Sequence, residues 1–152
     1  MSETIDAAEL LNANLDGWSS ANGLRFLRAT AEGVSAEWTV GPQHLQAYGI
    51  VHGGVHCGVI ETLASVGAAV FASARGQTVV GLENHTSFIR AVRAGETLAA
   101  EARPITRGRS TQVWEVTITN AQGKTVATGR VRLLCLEPGT VVAGEAPRAD
   151  LG

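Results

Sequence analysis

Two adjacent glycines and one carboxylate are the residues of this sequence best placed to do chemistry. Gly53 and Gly54 stand where a long apolar run begins, and Glu61 follows two helical turns later. The first N–H groups of a helix have no partner within the helix, so with the positive end of the helix dipole they can bind an anion or a developing oxyanion. Glycine at this position lets a substrate carbonyl group approach the backbone closely.

Glu61 is the only residue between His56 and Arg75 that must carry a charge at neutral pH. Burying a carboxylate without partners costs on the order of several kcal/mol, and a protein selected for stability alone would carry Ala or Leu there. One interpretation is therefore a functional carboxylate. The other is a structural glutamate held by a hydrogen bond or salt bridge between subunits. Ser65 shares the helical face of Glu61, one turn further on.

Four further side chains near this stretch could take part in the same chemistry. Gln46 could donate its amide to the same carbonyl group, although by itself it is an ordinary loop residue. His52 and His56 have the i, i+4 spacing of a metal pair, but His52 precedes the helix and no third ligand is apparent, so no metal is predicted. We expect His52 to order the loop and His56 to line the site. Cys57 is a weaker alternative nucleophile, because the neighbouring carboxylate disfavours its thiolate.

The elements that must position these residues follow from the hydrophobic periodicity. The apolar run 55–74 is too long for a strand and is predicted to be a helix that is buried all round. A short leading helix is expected over about 6–15. Alternation and turn residues predict six strands, at 24–30, 34–40, 78–88, 97–105, 111–119 and 124–136. Short turns between consecutive strands favour an antiparallel sheet, so the fold class is α+β.

The sequence predicts one domain over 1–136 and a loose tail over 137–152, which is rich in Pro, Gly and acidic residues. One sheet can cover only one side of a helix that is apolar all round, so a homo-oligomer is expected. The net charge of −2 argues against nucleic-acid binding. The acidic N-terminus lacks the basic region of a signal peptide, and no membrane-spanning segment is predicted, so a cytoplasmic protein is expected.

Two stretches of the sequence resemble the hotdog-fold thioesterase superfamily. They are 49–65, which contains His52-Gly53-Gly54 and Glu61, and 83–90, which reads Glu-Asn-His-Thr-Ser-Phe-Ile-Arg. The nearest subgroup is that of the Arthrobacter-type 4-hydroxybenzoyl-CoA thioesterases and the phenylacetate-pathway type. The likeness covers about 24–136. It implies an antiparallel sheet wrapped around one long central helix, dimers that commonly pair into dimers of dimers, and active sites at the dimer interface.

The resemblance also implies roles for particular residues. Glu61 matches the catalytic carboxylate, which acts as nucleophile or as general base for water. Gly53 matches the backbone N–H that polarises the thioester carbonyl, and Gln46 matches the side chain that assists it. Ser65 matches a hydroxyl that holds the attacking water or the acyl product. The expected reaction hydrolyses an acyl-CoA or aryl-CoA to the free acid and CoA, with no cofactor.

Contacts to the CoA substrate are expected from a second set of residues. A basic turn could present guanidinium groups, hydroxyls and N–H groups to the CoA phosphates. A solvated basic hairpin is the alternative for that turn. The predicted substrate-binding set is Gly54, His56, Asn84, His85, Arg107, Arg109, Ser110 and Thr111. The stretch 84–87, on the strand after the long helix, is also expected to support the site or the interface. A non-catalytic acyl-CoA-binding protein, a hotdog hydratase and a purely structural oligomer are the rival functions.

Overall fold

A computed structural model describes residues 4–147 of the chain. The last five residues of the predicted tail, 148–152, lie outside the described range, as do the first three residues of the predicted domain. The elements in chain order are α1 (Ala8–Ala13), α2 (Gly17–Ala21), β1 (Arg25–Thr30), β2 (Gly33–Thr39), a 3₁₀ turn (Pro42–His44), α3 (Gly53–Ser73), β3 (Thr78–Phe88), β4 (Thr97–Arg107), β5 (Thr111–Thr119) and β6 (Thr125–Leu136).

The six strands form one antiparallel sheet in the order β1-β2-β4-β5-β6-β3. Helix α3 lies across the sheet and contacts every strand. The predicted arrangement of an antiparallel sheet around one long helix is therefore confirmed. Alternation along the strands decides which side faces the helix: Val34, Ala36 and Trp38 of β2 are buried, as are Val116 and Ile118 of β5.

A buried polar cluster fixes α3 on the sheet. The side chain of Trp114, which is fully buried, lies against Gly67 of the helix. Trp114 Nε1 donates a hydrogen bond to Gln112 Oε1 at 2.9 Å, and Gln112 Nε2 donates to the Ala68 carbonyl at 3.1 Å. These bonds satisfy the polar atoms that the core would otherwise bury unpaired. Because a buried amide needs this one carbonyl, the cluster also fixes the position of α3 along β5.

Helix α3 is not buried all round, which corrects the expectation from its composition. Cys57, Glu61 and Ser65 share a face that is only half-buried in the single chain. By length and composition α3 could cross a membrane, since its mean hydropathy reaches 1.6. In this structure the helix lies against the sheet, and half of its most apolar 18-residue stretch is buried inside the fold.

The leading segment differs from the single helix expected over 6–15. It forms two short helices, because Asp16 starts a new one: its carboxylate accepts the N–H of Ser19 at 2.6 Å as a side-chain N-cap. Helix α2 carries Trp18, whose indole lies directly over Gly58 of α3. The sequence analysis did not predict α2 or this contact.

The backbone groups on the outer edge of β1 are bound by the N-terminal segment. Along β1, Asn12 of α1 donates to the Phe26 carbonyl at 2.8 Å and accepts the Phe26 N–H at 2.9 Å, so its side chain pairs with the edge as a strand would. The Ala29 N–H and carbonyl are also bound, by Asp6 and by the Ala7 N–H. The edge of β1 is therefore covered by the N-terminal segment.

Replacing Gly67 by Ala is expected to destabilise the protein by about 1–3 kcal/mol, because a Cβ there would come within 2.5 Å of the Trp114 ring. The matched control is Gly17→Ala, since a Cβ at Gly17 meets nothing within 4 Å. That change should leave stability unaltered or raise it slightly. Chemical unfolding of both variants measures the difference. Equal stability of the two would show that α3 can shift away from Trp114 at little cost.

Candidate active site

The start of α3 offers one uncommitted backbone donor. His52 is the N-cap residue, and its Nδ1 accepts the Gly54 N–H at 2.8 Å. The N–H of Val55 donates to the His52 carbonyl. In the described part of the chain no acceptor engages the Gly53 N–H. Of the two glycines predicted for the site, Gly53 therefore presents a free donor at the positive end of a 21-residue helix, whereas the Gly54 donor is occupied.

Gln46 reaches the same place from a tight loop. Its backbone N–H donates to the Ile50 carbonyl at 2.9 Å, and its carbonyl accepts the Gly49 N–H at 2.9 Å. Gly49 closes this turn at φ +74°, a conformation that favours glycine. The side-chain Oε1 of Gln46 accepts the Tyr48 N–H, so its amide NH₂ group remains available as a donor.

A cavity of about 500 Å³ joins these two donors. Gln46, Gly53 and Gly54 line it together with Phe88 and Arg90. The Phe88 ring lies so close to Gly53 that an added Cβ would come within 2.8 Å of it, so a side chain at this position would displace the ring from the cavity wall. Arg90, at the end of the resembling stretch, was not among the predicted site residues, although its place after Phe88 on the same segment could have suggested it.

Glu61 lies further along α3, on the half-buried face. Its Oε2 accepts a hydrogen bond from Asn84 Nδ2 at 3.3 Å, and its carboxylate lies against the bare backbone of Gly81. Ser65 follows one turn later on the same face and is also half-buried. Asn84, predicted as a substrate contact, thus binds the predicted catalytic carboxylate.

The helix keeps Gly53 and Glu61 apart within one chain. Eight residues of α-helix place their backbones about 12 Å apart along the axis. The Gly53 N–H also points toward the N-terminal end of the helix, away from Glu61. A carbonyl group bound by Gly53 therefore lies beyond the reach of the same chain's carboxylate. In each chain the predicted site residues therefore form two separate half-sites, with the donors at the start of α3 and the carboxylate two turns later.

His56 lines the same cavity as Gly53 and Gln46, and its imidazole is neutral because it packs among aromatic rings. It is buried between Trp38 and Phe88, with ring centroids 6.0 and 6.4 Å away. This desolvation lowers the pKa of His56 to about 4. It lines the cavity wall, as predicted for a residue bordering the site. Within residues 4–147 no three His, Cys, Asp or Glu side chains converge as a metal site would require.

The arginines predicted to bind CoA phosphates have different environments. Arg107 donates to Glu32 Oε1 at 2.8 Å and to the Ala31 carbonyl at 2.6 Å, and its guanidinium lies 4.7 Å from the Phe71 ring centroid. This guanidinium lowers the pKa of the Glu32 carboxyl. Arg109 is largely exposed, with its Nε 3.6 Å from a Glu137 oxygen. Arg109 is thus the more available cation of the two.

Three predicted substrate contacts lie away from both half-sites in the single chain. Ser110 and Thr111 are exposed in the turn that begins β5. His85 is exposed on β3 and pairs in register with Arg130, on the opposite sheet face from Asn84. The structure does not bring these residues to Glu61 within one chain.

The free helix-start donor and the half-buried carboxylate lie on an antiparallel sheet wrapped around one helix, which is the hotdog arrangement. The thioesterase superfamily model matches residues 48–127. Over 139 residues the chain is 39% identical to the protein Rv1847 of Mycobacterium tuberculosis, covering 90% of this chain and 98% of that one. It is 33% identical to the proofreading thioesterase EntH of Klebsiella pneumoniae over 135 residues, covering 88% and 92%.

A solved structure shares the fold over most of its length. The thioesterase HI1161 of Haemophilus influenzae superposes with a TM-score of 0.81 at 28% identity, covering 91% of this chain and 95% of that one. The chain therefore belongs to the thioesterase superfamily, and it is an enzyme that hydrolyses thioesters. The hotdog fold predicted from the sequence is confirmed.

The stability of the protein should fall on acidification because of His56. Its pKa is about 4 in the folded state against 6.5 for the free side chain, so the unfolded state binds the proton more tightly. The stabilisation is fully present above pH 6.5 and is lost as the pH falls toward 4, by up to about 3 kcal/mol. Urea unfolding across this range should show a shallower loss for His56→Gln than for the native protein. Identical slopes would contradict the assignment to His56.

Proposed function

We propose that the protein hydrolyses an acyl-CoA or aryl-CoA to the free acid and CoA, with Glu61 as its catalytic carboxylate. The observation that carries the proposal is the pairing of two uncommitted donors with one positioned acid. The Gly53 N–H and the Gln46 amide meet at one cavity, and Glu61 is held by Asn84 beside Gly81. Gly53 and Glu61 belong to the same helix, and Gln46 reaches its start from the preceding loop.

The proposed reaction begins with binding of the thioester carbonyl group by the two donors. The Gly53 N–H and the Gln46 amide bind the thioester carbonyl oxygen and stabilise the negative charge that develops on it, an effect worth about 3 kcal/mol per donor. Glu61 then takes a proton from water as the water oxygen attacks the carbonyl carbon, or its own oxygen attacks and forms an anhydride that water hydrolyses. In both routes the carbon–sulfur bond breaks. When Glu61 acts as the base, it passes the proton taken from water to the leaving thiolate of CoA; when it acts as the nucleophile, CoA leaves as a thiolate that takes its proton from water. Ser65, one turn along, holds the water or the acid product.

A complete site requires two chains in this proposal. The 12 Å between half-sites calls for the donors of one copy and the carboxylate of another. The edge of β3 supports such a pairing, since it is 11 residues long and carries exposed apolar side chains. Leu82 and Phe88 are 46% and 59% exposed. The covered edge of β1 leaves β3 as the strand that can join a second sheet. We infer a homodimer, which can pair further into a dimer of dimers.

The substrate has an acyl part and a CoA part. The cavity is largely apolar because Phe88, Ile50 and Ile89 line it, which suits either an aryl or an aliphatic acyl group.

The CoA phosphates can be bound by the exposed groups of Arg109, Ser110 and Thr111. Arg107 shapes the turn that carries these groups through its bonds to residues 31 and 32. His52 acts as the cap that orders the cavity wall. We expect the enzyme to act in the cytoplasm, where CoA thioesters are made and used.

Replacing Glu61 by Gln should lower kcat by about 10²–10⁴-fold, because the amide can neither accept the proton nor attack. Thiol release from benzoyl-CoA and hexanoyl-CoA, as aryl and acyl probes, measures the loss. The matched control is Glu115→Gln, an exposed carboxylate on β5, which should keep the native rate. A Glu61→Gln protein with undiminished turnover would overturn the assignment of Glu61.

Two inactive variants should restore each other if the site is shared. A Glu61→Gln chain keeps its donors, and a Gln46→Ala chain keeps its carboxylate. Random pairing makes half of the dimers mixed, and each mixed dimer has one intact site of two, so about a quarter of the native activity should return. Subunits are unfolded together, refolded as a mixture and assayed for thiol release. Activity equal to the mean of the two separate variants would place both halves of the site in one chain.

A further inference from the structure

The bond from Asn84 to Glu61 belongs to a longer hydrogen-bond chain, which runs from Thr86 of β3 through Asn84 to helix α3. Asn84 Nδ2 donates to Glu61 Oε2 at 3.3 Å and to the Cys57 carbonyl at 3.0 Å. Both acceptors belong to one turn of α3, since Cys57 and Glu61 are four residues apart. The two hydrogens of the amide therefore have one fixed partner in the helix backbone and one in the predicted catalytic carboxylate.

Thr86 sets the orientation of that amide. Its hydroxyl donates to Asn84 Oδ1 at 2.6 Å, which turns the oxygen end toward the strand and the NH₂ end toward the helix. A flipped amide would place its oxygen against the Cys57 carbonyl and the Glu61 carboxylate, both of which are acceptors. Residues 84 and 86 are two apart on β3 and so share one face.

Backbone features leave room for this chain of bonds. The register of β3 against β6 shifts between Gly81 and Glu83, and this bulge turns Asn84 and Thr86 toward α3. A Cβ at Gly129, which lies opposite Thr86, would come within 2.6 Å of the Thr86 hydroxyl. Gly81 likewise leaves space for the Glu61 carboxylate. Both the acid and the hydroxyl thus lie over bare backbone.

We propose that Asn84 and Thr86 are positioning residues that hold Glu61 in its reactive orientation, rather than contacts to the substrate. The inference rests on the proposed role of Glu61. Asn84 binds Oε2 and ties the side chain to the helix turn below it, while Oε1 lies over the bare backbone of Gly81, so the carboxylate is held from both sides by β3. Thr86 acts through Asn84 and touches neither Glu61 nor the cavity. A group of this kind affects the chemical step and leaves substrate binding unchanged.

Steady-state kinetics with benzoyl-CoA and hexanoyl-CoA test this assignment. Asn84→Asp keeps the shape of the side chain but sets a second carboxylate against Glu61, and it should lower kcat by about ten- to a hundredfold while KM stays within about twofold. Thr86→Val removes the hydroxyl without changing size, and should lower kcat by about two- to tenfold. Thr86→Ser restores the donor and should recover the native kcat.

Controls separate the ways in which the inference could fail. Thermal unfolding of each variant identifies any that does not fold, and the Thr86→Val and Thr86→Ser pair tests the inference even if Asn84→Asp is unstable. A rise in KM with native kcat would assign Asn84 to substrate binding and overturn the inference. Glu61→Gln is assayed in parallel. If it is inactive while Asn84→Asp and Thr86→Val keep native kcat, only the positioning role fails. If Glu61→Gln is active, the proposed function itself fails.

Discussion

The rigid rise of α3 is the constraint on which the rest of this structure depends. An α-helix advances about 1.5 Å per residue, so donors at its first turn and a carboxylate eight residues later cannot meet on one carbonyl group. The helix cannot bend to bring them together, because Trp114 and Gln112 hold it on the sheet at Gly67 and Ala68. In the proposed mechanism a second copy therefore completes the site, and the open edge of β3 is the proposed surface for pairing.

The two edges of the sheet differ in whether their backbone groups are free to pair with a second chain. The N-terminal segment uses Asn12, Asp6 and the Ala7 N–H to satisfy the β1 edge, so that strand has little capacity to pair with another chain. β3 keeps its edge free and also carries Asn84 and Thr86 toward the helix. In the two proposals made above, this one strand serves both the pairing of subunits and the orientation of the carboxylate, so a disturbance of β3 is expected to affect assembly and turnover together.

Packing and hydrogen bonding decide which groups near the start of α3 are charged and which are free to donate. His56 stays neutral because Trp38 and Phe88 surround it, so it presents no imidazolium charge beside Gly53. His52 accepts the Gly54 N–H, which leaves Gly53 as the free donor at the helix start.

The two arginines near the basic turn also differ in their partners. Arg107 binds Glu32 and packs on Phe71, which leaves the more exposed Arg109 for an anionic ligand.

The sequence by itself determined the strands and the long helix, because these depend on local periodicity. It also singled out Gly53, Gly54 and Glu61 as candidate site residues, because glycines at a helix start and a charge in an apolar run are local features. It placed β3 and β5 at their observed bounds. Only the tertiary structure decided which helix-start donor is free, which face of α3 stays open and where Asn84 points. Those depend on contacts between residues far apart in the chain and on a one-residue bulge in β3, and neither leaves a periodic signal in the sequence.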